Sequence, residues 1–225
     1  MIFAILGVLL AILMLLPNWW VKTVLRRHSG ERDDFPGTGG EMAQHLLDLM
    51  DMKDVKVEVT ERGDHYDPAS RTVRLTKDKL EGRNLTGVVV AAHEVGHAIQ
   101  HHRSESLFQL RSGLAVMTYL FNKAAPILLL VTPLLIWINP AFSRWSLLAA
   151  IGSMLLGVLL NLITLPVEWD ASFGKALPVL ESGQYLSPED MVAARQILLA
   201  AALTYVAASL ASLLNLGVLA RVLRR

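Results

Sequence analysis

The sequence contains no cysteine, and only 18% of its 225 residues are charged. The first absence excludes disulfides, thiol catalysis and every cysteine-ligated zinc or iron–sulfur site. The scarcity of charge is also uneven. Of the 41 charged residues, 29 fall between Lys22 and Arg111, and segments 1–21, 124–143, 145–167 and 196–220 contain none. About 20 apolar residues are enough for a helix to cross the roughly 30 Å hydrocarbon core of a bilayer, so these runs argue against an ordinary soluble domain. A formal net charge of +1 supplies no concentrated basic surface, which excludes nucleic acid as the expected partner.

What is present divides the chain. Residues 1–16 are continuously apolar and end at Pro17, with Trp19, Trp20, Lys22, Arg26 and Arg27 beyond. There is no basic stretch before the apolar one and no small-residue cleavage pattern after it, so the expectation is a retained membrane helix over 1–21 anchored at the interface by its tryptophans. Residues 22–112 are expected to form a water-facing catalytic module. Within it, 41–52 has the spacing of a short amphipathic helix. Val55, Val57 and Val59 alternate with polar residues, as do residues 72–76, which predicts a β-hairpin or meander. Asn84 or Thr86 caps a helix from Leu85 to about His102. Residues 113–225 are expected to be a membrane bundle with spans at about 114–138, 145–167 and 196–220. The first of these is interrupted at Asn122, Lys123, Pro126 and Pro133, and residues 168–195 form a loop. The fold class predicted is a mainly α membrane protein of about four transmembrane helices with a small α+β, zincin-like module.

The chemistry is concentrated at His93-Glu94-Val95-Gly96-His97. Two histidines four apart on a helix lie one turn above the other and can hold one zinc ion, while Glu94, rotated about 100° from His93, can address water beside the metal. With 7 His and 10 Glu in the chain, chance produces this pattern only about 0.01 times. A catalytic zinc ion needs a third protein ligand. His101 and Glu105 are local candidates, and Glu168 is a distant one. Glu168 is favoured: with Asp170 it forms an acidic pair where an uncharged 23-residue run ends, and such a pair calls for a cationic partner. His65, His101, His102 and Tyr185 are candidate donors to a reacting oxyanion.

The chain resembles the YugP-type membrane zinc metallopeptidases, and more remotely the gluzincin branch that includes HtpX-like and CAAX-processing membrane proteases. The likeness runs through nearly the whole sequence. It is carried by Thr38-Gly39-Gly40-Glu41, His65-Tyr66-Asp67-Pro68 with Arg71-Thr72-Val73-Arg74-Leu75, residues 91–100, Leu110-Arg111-Ser112, and residues 165–172. The resemblance implies that His93, His97 and Glu168 are zinc ligands and that Glu94 is the catalytic base. The wider branch carries an aspartate four residues after the ligand glutamate, where this chain has Ser172, so Asp170 is the candidate to support a ligand histidine instead.

The function expected is that of a membrane-embedded endopeptidase holding one Zn2+ ion and cleaving membrane or membrane-proximal proteins with a zinc-activated water. An extended substrate is expected to add beside residues 72–76. The rivals are a zinc-binding scaffold or chaperone that does no catalysis, and a metal carrier, which the nearly nonpolar spans argue against; Asn161 is their main polar exception. For Glu168 to meet His93, the second and third spans must form a hairpin turning at residues 139–144, which puts both termini opposite the module. The expected location is the plasma (inner) membrane. Lys22, Arg26, Arg27 and Arg111 favour a cytoplasmic module, against Arg221, Arg224 and Arg225.

Overall fold

The computed structural model describes residues 2–139 and 141–223. Met1 of the first expected span, Pro140 of the expected turn, and Arg224 and Arg225 of the basic C-terminus therefore lie outside the described residues. The elements in chain order are α1 (Ile2–Arg27), α2 (Gly39–Leu49), β1 (Lys56–Val59), β2 (His65–Asp67), β3 (Thr72–Leu75), α3 (Lys77–Leu80), α4 (Leu85–His102), α5 (Ser106–Ile138), α6 (Ala141–Trp169), a π-helical segment (Asp170–Ala176), α7 (Leu177–Ser182) and α8 (Pro188–Leu223). The chain is thus mainly helical with one small sheet.

Helix α4 is the centre of the module. Asn84 accepts the Gly87 N–H at 2.7 Å, satisfying one of the donors a helix start leaves free. Thr86, the other candidate cap, bonds instead to the carbonyl of Leu25 at 2.8 Å, tying the end of α1 to the start of α4. From Leu85 to Gln100 the helix is buried almost all round, as a helix enclosed by other elements must be. Its apolar residues join Leu46 and Leu47 of α2, Val73 and Leu75 of β3, Phe108 of α5, Leu180 of α7 and Ile197 and Leu198 of α8 in one core. Helix α2 opens with reciprocal bonds between Thr38 and Glu41, a capping box.

The sheet order is β1-β3-β2, with β1 parallel to β3 and β2 antiparallel to it. A hairpin is therefore present, but a meander is not. The 12 residues between β1 and β3, which include β2, are long enough to return the chain in the same direction. Strand β3 is paired on both sides, so the expected addition of a substrate strand beside residues 72–76 is excluded.

Two further expectations are corrected. Helix α5 runs unbroken from Ser106 to Ile138, through Asn122 and Lys123, where an interruption is expected. Residues 168–195 are not a loop: Glu168 lies in the last turn of α6, and apart from a short connection at 183–187 the segment is helical. Pro166 sits inside α6, where it removes one ladder hydrogen bond, and the chain passes into the wider π-helical turn four residues later. Helices α5 and α6 are antiparallel, because Arg111 meets Glu168 at one end of the pair and Thr132 bonds Ser146 at the other. Asn161 joins α6 to α8 by donating to Ser212 at 2.7 Å, and its carbonyl accepts from Ser209. Among the described residues two stretches, Arg144–Ser182 and Pro188–Leu214, are long and apolar enough to cross a membrane, against the four expected.

The hairpin that carries Tyr66 is closed by Asp67. Its carboxylate accepts from Arg74 at 2.6 Å, Ser70 at 2.8 Å and the Ala69 N–H at 2.9 Å. The Arg74 guanidinium, more than the other bonds, holds the Asp67 carboxyl down at about 2. A depressed folded value means that the ionised form stabilises the fold above the unfolded pKa of about 3.9 and that this contribution is lost as pH falls through the folded value. Asp67→Asn should therefore lower the thermal unfolding midpoint at pH 7, and the deficit should close between about pH 4 and pH 2. Unfolding scans of the two purified proteins across pH check this.

Candidate metal centre

His93 and His97 lie one turn apart on α4, with ring centroids 4.8 Å apart. Glu168 reaches them from the end of α6: its Oε2 is 3.2 Å from His93 Nε2 and 3.4 Å from His97 Nε2. Among the described residues these three side chains form a cluster with ligand-type atoms all within 4.8 Å of one another. The Glu168 side chain is only 2% exposed, and its Oε2 has no hydrogen-bond partner. Its other oxygen is met by Arg111 of α5 at 3.3 Å.

The far sides of the imidazoles explain the orphaned oxygen. His97 Nδ1 lies 2.9 Å from Gln100 Oε1 and His93 Nδ1 lies 3.1 Å from Ser172 Oγ. If each Nδ1 donates to its oxygen, each Nε2 carries a lone pair. Two nitrogen lone pairs and a buried carboxylate oxygen then face one another, an arrangement that is repulsive unless a cation sits among them. Two His and one Glu are a donor set suited to zinc, so the residues fit the ion that the motif implies.

Glu94, between the two histidines in sequence, is buried beside the cluster. Burial pushes its carboxyl up to about 7, against the pull of His93, and Glu168 and Asp64 push in the same direction. Among the described strands β2 pairs only with β3, so its outer edge is free.

The other expected site residues are placed as follows. Asp170 accepts from Gln100 Nε2 at 2.8 Å and from Lys175 at 2.7 Å, so it meets His97 only through Gln100. Ser172, where the wider branch has aspartate, itself contacts His93. His101 bonds the Tyr66 hydroxyl at 2.8 Å, and His65 Nδ1 lies 2.8 Å from the Gly63 carbonyl. Neither belongs to the cluster, and His102 is exposed. Glu105 precedes the first turn of α5 and pairs with Lys175 at 3.0 Å. Tyr185 bonds His45 at 2.8 Å and lines a groove of about 540 Å³ with Phe35 and Met42, away from the cluster.

The roles of Gln100, Arg111 and Lys175 were not read from the sequence. Gln100 had a signal in its spacing, three residues after His97 and so on the same face. Arg111 and Glu168 flank the second and third apolar segments as opposite charges, which antiparallel packing brings together. Tyr205 of α8 interacts with both Glu168 and Glu94; a tyrosine inside an uncharged run gives no such indication.

Residues 3–224 match the model of a protein family described as "Putative neutral zinc metallopeptidase". The chain is also 37% identical over 201 residues to a protein of Bacillus subtilis (strain 168) named "Putative membrane protease YugP", covering 87% of this chain and 85% of that one. No solved structure matches.

One backbone approach sets the distance between the two halves of the cluster. A Cβ on Gly96 would lie 2.7 Å from the carbonyl oxygen and 3.4 Å from the Cα of Ala171 in the π-helical segment. Both are backbone atoms, so the crowding cannot be relieved by a side-chain rotation. Gly96→Ala should push the segment carrying Ser172 away from His93, at an overpacking cost of about 1–3 kcal/mol. The expected result is a lower unfolding midpoint together with weaker zinc retention on dialysis, measured by metal analysis beside wild type.

Proposed function

The chain belongs to the family of neutral zinc metallopeptidases, and from that membership we propose that it is a membrane-embedded endopeptidase using one zinc ion held by His93, His97 and Glu168. The observation that carries the reading is the convergence of those three side chains beside a buried Glu94. Zinc, when bound, supplies Lewis acidity, which polarises a scissile carbonyl and makes water acidic enough to attack near neutral pH.

The protein's own groups do the rest. The Glu94 carboxylate takes the proton of the attacking water and delivers it to the leaving amine. Arg111 neutralises Glu168 Oε1, which leaves Oε2 directed at the histidines. An extended peptide adds along the free edge of β2, where backbone pairing supplies affinity with little demand on side chains. A scaffold without catalysis would have no use for a buried carboxyl at Glu94.

The same reading assigns the chain four spans, with 1–21 forming the first, 22–112 the catalytic module and 113–225 the remaining bundle. In support, large apolar side chains lie bare along α1, α5, α6 and α8, with Leu130 77% and Trp137 93% exposed, a surface that water does not favour. Trp19 and Trp169 are exposed at the module end of their helices and Trp137 and Trp145 at the other. The 24 residue-to-residue steps from Trp145 to Trp169 rise about 36 Å, matching a hydrocarbon core of about 30 Å with a tryptophan belt at each face. Glu168 then lies at the interface, and the substrates are membrane or membrane-proximal proteins. We place the module on the cytoplasmic side of the plasma membrane, following Lys22, Arg26, Arg27 and Arg111.

Glu94→Gln tests the catalytic assignment. The amide keeps the shape but cannot take a proton, so the variant should keep the zinc content of the wild type while peptide hydrolysis falls by at least about 10²-fold. Undiminished hydrolysis, followed with a fluorogenic peptide, would remove Glu94 from the mechanism.

A further inference from the structure

We propose that Gln100 is a positioning residue for the metal centre: it holds His97 in the tautomer that presents its Nε2 lone pair, and it is itself held by Asp170 and Lys175. This rests on the zinc metallopeptidase reading.

Gln100 is 1% exposed. Its Nε2 lies 2.9 Å from the Val167 carbonyl oxygen and 2.8 Å from Asp170 Oδ2. Both partners are acceptors, so the amide can be oriented only one way, with NH2 toward residues 167 and 170 and Oε1 toward His97. His97 Nδ1, 2.9 Å from that oxygen, must then carry the hydrogen. A neutral imidazole protonated at Nδ1 has its lone pair at Nε2, the atom that faces Glu168.

The outer members keep Gln100 from turning over. Lys175 Nζ is 2.7 Å from Asp170 Oδ2 and 3.0 Å from Glu105 Oε1, so the Asp170 charge is matched and its carboxylate stays an acceptor. Room for that carboxylate depends on Gly174, where a Cβ would lie 2.2 Å from Asp170 Oδ1. The relay runs from Glu105, just before α5, through the π-helical segment to a histidine of α4. It supports His97, while Ser172 at 3.1 Å faces the Nδ1 of the other histidine, His93.

The test compares wild type with Gln100→Met, which keeps the volume and removes the amide oxygen. Zinc affinity of the detergent-purified full chain is measured by competition with a chromogenic chelator. Histidine tautomers in the zinc-free proteins are read by 15N NMR. Gln100→Met should weaken zinc binding about 10- to 100-fold and lose one Nδ1-protonated histidine. Equal affinity in wild type and Gln100→Met, or an unchanged number of Nδ1-protonated histidines in Gln100→Met, overturns the proposal. A wild type that binds no zinc contradicts the metallopeptidase reading instead. In that event the tautomer spectra still decide the role of Gln100, since an unchanged spectrum in Gln100→Met removes it.

Discussion

Everything in this structure is arranged around three electron-pair donors that cannot rest together unaided. The Nε2 atoms of His93 and His97 and the Oε2 of Glu168 share one buried space, and a cation among them would turn a repulsive contact into a tie between the two halves of the molecule. One half is the module built on α4; the other is the bundle that delivers Glu168 at the end of α6. The surrounding packing keeps these donors close without letting them separate: Gly96 admits the backbone of Ala171, Phe108 backs the ring of His97, and Arg111 occupies the second carboxylate oxygen.

Helix α5 has a part in this that its apolar composition conceals. Its first turns lie within the module, where Phe108 and Arg111 face the cluster, and Glu105 just before them holds Lys175. The same helix continues without a break into the bundle. A change in the tilt of α5 would reach both Glu168, through Arg111, and His97, through Lys175, Asp170 and Gln100. The centre is thus braced by a helix that the four-span reading carries from the module into lipid.

Much of this could be read from residue order. The capped helix over 85–102 followed from Asn84 and the spacing beyond it, and the approach of Glu168 to the histidines followed from a carboxylate standing where an uncharged run ends. The order of the sheet could not be read, because alternation shows which residues form strands but not which strand lies between the others. Nor could the helical nature of residues 168–182: a π-helical turn has no composition of its own, and Pro166, Gly174 and Pro178 all read as breakers. The roles of Gln100 and Lys175 depend on residues far apart in sequence meeting at one buried point, so they emerge only once the fold is known.

The central claim is that Glu168 completes a zinc site begun by the two histidines, and X-ray absorption spectroscopy of the zinc-loaded protein tests it most directly. Wild type should show two imidazole nitrogens at about 2.0–2.1 Å and a carboxylate oxygen at about 2.0–2.2 Å. Glu168→Ala should bind far less zinc and lose the carboxylate contribution from whatever ion remains. A Glu168→Ala protein with the same zinc content and an unchanged ligand shell would contradict the account.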